Sequence, residues 1–87
     1  MSPEQKISAL ALTFPALRGA PGVAPWNEDQ LRDWLGVCSS GERQAALFVL
    51  SVWNHYDNKF DMHAAVSKWD DGNLAAFVAW ARAPWWC

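Results

Sequence analysis

The chain has little of what marks a secreted, membrane or nucleic-acid-binding protein. Its 87 residues include two cysteines, Cys38 and Cys87. Two thiols so placed form no disulfide framework, and the expectation is a pair of unbridged thiols in a reducing cytoplasm. The longest apolar stretch, Ala45 to Trp53, is interrupted by Ser51. It falls far short of the roughly 20 residues that span a bilayer, so no membrane partner is expected. Met1 to Lys6 leads into no continuous apolar run of the signal-peptide kind. Seven basic residues against nine acidic ones leave a net charge of −2 and a pI near 5.5. That balance argues against a general nucleic-acid binder, and no direct sequence-specific nucleic-acid binding is expected. The chain lacks a Walker loop, a Gly-x-Gly-x-x-Gly and a His-Glu-x-x-His. A domain this small also has little room for a water-excluding cleft, so neither an enzyme nor a cofactor is expected.

What is abundant is apolar and aromatic. Hydrophobic residues make up 52% of the chain, aromatics 14%, and there are seven tryptophans. With 18% charged residues this is a folding sequence, and its length points to one domain covering 1–87. Ile7, Leu10, Ala11 and Phe14 recur at i, i+3, i+4, i+7 behind a Ser2 cap and Pro3, which predicts a helix that Pro15 ends near Thr13. Residues 18–26 hold prolines and glycines that forbid a helix and read as an ordered connector over the core. Asn27 caps a second helix with Leu31, Trp34 and Leu35 on its buried stripe, and Gly36 stops it. Ser39 and Glu42 offer a capping box for a third, about 41–54, which is apolar nearly all round and is therefore central. After a polar turn, Asp61 caps a fourth helix with a stripe of Met62, Ala65, Val66 and Trp69. The fifth carries Leu74, Phe77, Val78 and Ala81, with Trp80 pointing off that stripe, and Pro84 leaves residues 84–87 as a tryptophan-rich tail. No segment alternates with period two. The fold class expected is all-α, a compact bundle of four to five short helices around the central one.

Several groups are candidates for chemistry. His55, Asp57, Asp61 and His63 form the densest polar cluster, and imidazole with carboxylate suits a metal. Their spacing is not diagnostic, and capping by Asp61 with solvated histidines explains the same residues. Cys38 beside a histidine would be a nucleophile and its base, but a half-buried small apolar role explains it as well. The acids are mostly at helix starts, where capping accounts for them better than mimicry of DNA.

The tryptophans divide. Trp34, Trp53 and Trp69 lie on helix stripes and are expected in the core. Trp26, Trp80, Trp85 and Trp86 are harder to bury together. The two tail indoles either fold back against the central helix or stand as anchors for a partner, and the two arrangements can coexist. The partner-binding residues expected are Trp80, Trp85 and Trp86, with Asp70 and Asp71 as a charged rim.

The run Glu42 to Asn54, then Phe60-Asp61-Met62-His63, Trp69-Asp70, Ala75-Ala76-Phe77, Trp80-Ala81 and Pro84-Trp85-Trp86, resembles a group of small tryptophan-rich proteins. Plasmids, prophages and integrative conjugative elements of proteobacteria carry them. The likeness covers about Trp26 to Cys87, and the Pro-Trp-Trp ending is its most distinctive part. It implies a mobile-element accessory protein but transfers no catalytic residue. Small proteins of such elements often inhibit host defence, anti-CRISPR proteins among them. The function expected is therefore a non-enzymatic protein-binding module whose partner is a host complex or a second copy of itself. The alternatives are a small metal-binding helical domain using His55, Asp57, Asp61 and His63, or a structural, oligomerising module.

Overall fold

Side-chain caps set where each helix begins. The computed structural model describes residues 1–54 and 59–87. Ser2 accepts from the Gln5 N–H and Gln5 answers to the Ser2 N–H, a closed capping box that starts α1 (Pro3–Leu12). Pro15 cannot continue it, and a single 3-10 turn follows at Pro15–Leu17. Asn27 caps α2 (Glu28–Trp34) and Asp61 caps α4 (Met62–Lys68). Ser39 and Glu42 close the box that starts α3 (Ser40–Trp53), and Asp70 caps α5 (Asp71–Arg82). Among the described residues there is no strand, and the bundle is all-α as expected. Its radius of gyration, 11.5 Å, is that of a compact chain of this length.

The central position of α3 follows from its composition. Ala45 to Leu50 and Val52 are all buried, so α1, α4 and the 3-10 turn pack around it. Ile7, Phe14, Leu17 and Leu31 fill the space between, each fully buried. The connector lies on this core: Val23 is buried, and Ser8 Oγ donates to its carbonyl at 2.6 Å. Gly22 is buried at φ +80°, and a Cβ there would collide with the Asn27 carbonyl and come within 2.7 Å of the Leu31 nitrogen. Only glycine lets the connector approach the start of α2 so closely.

Two helices present faces other than the expected ones. On α4, Ala65 and Trp69 are inside while Met62 and Val66 are about half exposed. Trp69 Nε1 donates to the Gly41 carbonyl at 3.0 Å, and Gly41 itself lies close against the Lys68 carbonyl. These contacts fix the rotation of a helix too short to bury its whole stripe. On α5 Asn73 and Ala76 are buried and Leu74, Phe77 and Trp80 pack partly buried against the core, leaving Val78 and Ala81 exposed. The helix is turned by about one residue, and Trp80 belongs to the inner face. The cause is a polar bond. Asn73 Oδ1 accepts the N–H of Ala16 at 3.0 Å, which the 3-10 turn leaves without a helical partner, while Asn73 Nδ2 donates to Asp70.

Candidate functional site

The tail is held back onto the bundle. Pro84 follows the last turn of α5, and the chain reverses so that Trp80 Nε1 donates to the Trp85 carbonyl at 3.0 Å. The N–H of Cys87 then donates to the Val52 carbonyl at 3.0 Å, satisfying one of the open carbonyls at the end of α3. Lys6 of α1 sets its ammonium 4.2 Å from the centre of the Trp85 ring. Trp80 is the hinge of the arrangement: its ring meets Phe48 in the core at 5.0 Å and Trp86 at 5.3 Å, both nearly perpendicular.

This geometry separates the two tail indoles. Trp85 packs against the core, partly buried. Trp86 stays 55% exposed although its ring is braced by Trp80. Beside them a shallow groove of about 320 Å³ runs between α1 and α5, lined by Lys6, Ala9, Ala76, Ala79, Trp80 and Trp85. The structure thus brings Trp80, Trp85 and Trp86 together. It leaves Asp70 and Asp71 at the start of α5, about 14 Å before Trp80 along the helix axis. There Asp70 accepts from the Asn73 backbone and side chain, so the pair starts the helix and does not rim the tryptophans.

Most of the remaining indoles have structural work. Trp53 Nε1 donates to Glu28 Oε1 at 3.1 Å, while Glu28 Oε2 pairs with Arg32 at 2.7 Å. Trp26 lies on Trp53 with ring centres 5.2 Å apart, and its own buried N–H has no acceptor among the described residues. Trp34 is packed at the core edge, and Trp69 is the most buried indole. Trp26, expected among the surplus, is therefore part of the packing.

Of the proposed metal cluster, His55 and Asp57 lie outside the described residues. Asp61 Oδ1 accepts the N–H groups of His63 and Ala64, at 2.9 and 3.2 Å, and so acts as the cap of α4. His63 is exposed next to it. Among the described residues no three His, Cys, Asp or Glu side chains converge as a metal site would require. Cys38 and Cys87 are both unbridged. Burial and the Glu42 carboxylate push the Cys38 thiol above its usual range, the opposite of what activates a nucleophile. No helix among the described residues is long and apolar enough to cross a membrane.

Lys6 is the residue beside the tryptophans that sequence reasoning misses. It sits on an exposed turn of α1, far along the chain from Trp85, and nothing in its neighbourhood marks it. No protein-family model, curated protein or solved structure matches the chain.

Proposed function

We propose that the protein is a non-enzymatic protein-binding module that anchors a partner through Trp86, supported by Trp80 and Trp85. One observation carries this reading: an indole left 55% exposed yet braced against Trp80 on a tail tied to Val52. A large ring already held in place loses little entropy on binding, which is why tryptophan is enriched among the residues that dominate interfaces. The resemblance of residues 26–87 to tryptophan-rich mobile-element proteins supports a cytoplasmic accessory protein, and the partner proposed is a host defence complex that it inhibits, as anti-CRISPR proteins do.

Affinity purification from a proteobacterial host, with mass spectrometry, compares the wild type with Trp86→Ala. The variant is expected to keep its helical circular dichroism and lose capture of the partner by at least about thirtyfold, the weight of an interface hot spot. Equal capture by the folded variant would overturn the anchor. Phage plating on a host with an active CRISPR system tests the inhibition: wild-type protein raises plating, and no change ends that part of the reading.

A further inference from the structure

We propose that the α1–α5 groove receives an acidic, apolar segment of the partner protein, its carboxylate pairing with Lys6 and its neighbouring aliphatic side chain lying over Ala9, Ala76 and Ala79. This rests on the partner-binding reading above and specifies the chemistry of the same surface.

The groove has the two halves such a segment needs. Ala9, Ala76 and Ala79 line it together with Leu10 and Thr13, and Trp80 and Trp85 stand beside them. Lys6 is the one charged residue lining it. Among the described residues that ammonium has no ion-pair partner; its near neighbour is the Trp85 ring, 4.2 Å from the nitrogen to the centroid. A ring face offers no localised negative charge to cancel a cation, so the contact positions the ammonium without neutralising it. Three N–H donors surround the nitrogen, and those not aimed at the ring remain for a carboxylate. The hollow between α1 and the connector, about 360 Å³, has the opposite sign at its rim in Glu4. Among the residues lining the groove, Lys6 is the charge that an acidic segment can pair with, beside an apolar surface for its aliphatic neighbour. Trp86, exposed next to Trp80, extends the contact beyond the groove's end.

Two acetylated, amidated probe peptides test this, Leu-Glu-Leu-Leu-Glu-Leu and its counterpart with lysine in place of glutamate, titrated into ¹⁵N-labelled protein. The acidic peptide is expected to shift the amides of Lys6 and Ala79 and the indole N–H of Trp80, and to bind at least about fivefold tighter than the basic one. Lys6→Gln should erase that preference and Lys6→Arg keep it, with the helical circular dichroism of both unchanged. Equal binding of the two peptides, binding elsewhere, or no shift with the acidic peptide would each overturn the groove assignment. The capture experiment separates the two levels. Loss with Trp86→Ala but none with Lys6→Glu leaves the anchor standing and removes the acidic segment. Capture unaffected by both variants removes the partner-binding reading itself.

Discussion

Residues 1–54 and residues 59–87 meet the same demand, the burial of apolar surface, in different ways. The first region supplies the largest fully buried side chains, Phe14, Ile7, Leu17, Leu31, Leu50, Val23, Val49 and Val52. The second buries Ala65, Trp69 and Ala76, and otherwise rests partly exposed rings on the core edge: Phe60, Phe77, Trp80 and Trp85. Side chains enclosed on all sides make a core, whereas aromatic rings can also close a small core while one edge still meets solvent. A chain of 87 residues has too little interior to enclose everything apolar, so its C-terminal region closes the core with rings that stay partly exposed. Met62, Val66, Val78 and Trp86 are exposed there. The contrast teaches that richness in tryptophan serves closure first, and that Trp86 is set apart because the other rings have already closed the core.

The largest expected effect tests the core side of this contrast. Phe14→Ala empties a fully enclosed site in contact with Phe48 and Trp69, and should cost about 3–5 kcal/mol in urea unfolding. Phe77→Ala, at the partly exposed edge, should cost about half as much. Equal losses would break the distinction between the two regions.

Asn73→Ala comes next. It strands the Ala16 N–H and removes the bond that sets the rotation of α5, so a loss of about 2 kcal/mol is expected, with a blue-shift or red-shift in tryptophan emission as Trp80 moves. A variant that melts like the wild type would show that apolar packing alone orients α5.

Trp86→Ala should change stability by no more than about 1 kcal/mol, since it removes one perpendicular ring contact and little buried area. A larger drop in thermal midpoint would move Trp86 from surface to lid and sharpen the boundary in the other direction.

The smallest effect is electrostatic and belongs to the first region. Bonds from the backbone and side chain of Ser39 hold the Glu42 carboxyl below its ordinary 4.5. A carboxyl whose folded value is lowered stabilises the fold above its ordinary value and loses that contribution as pH falls through the folded one. The melting midpoint should therefore fall more steeply with pH between about pH 5 and pH 3 for the wild type than for Glu42→Gln. Parallel curves would mean that the capping box contributes through its neutral bonds alone.

Four helix starts were legible because a cap is local: Ser2, Asn27, Ser39 and Asp61 each bond to a backbone N–H two or three residues on, whereas Asp70 and Asp71 read as a break and in fact begin α5. The centrality of α3 was legible for a related reason, since a helix apolar on every side has only one place to go. Rotation was not. Of the stripe Leu74, Phe77, Val78 and Ala81, the first two pack against the core and the last two do not, because the buried Asn73 amide meets the Ala16 N–H and Trp80 takes their place. No pattern of hydrophobicity contains that bond. The trio Trp80, Trp85 and Trp86 could be singled out from composition and position, but its split into one packed and one exposed tail indole could not.

By itself, then, the sequence determined an all-α bundle of four to five helices, their order, most of their starts and the central one, because these follow from caps, breakers and periodicity within a few residues. Tertiary structure decided which face of α4 and α5 turns inward, the return of the tail onto Val52, and the meeting of Lys6 with Trp85. Each of these depends on groups far apart in the chain that must satisfy one another in space, and a hydrogen bond or ring contact across the fold leaves no mark on the residues beside it.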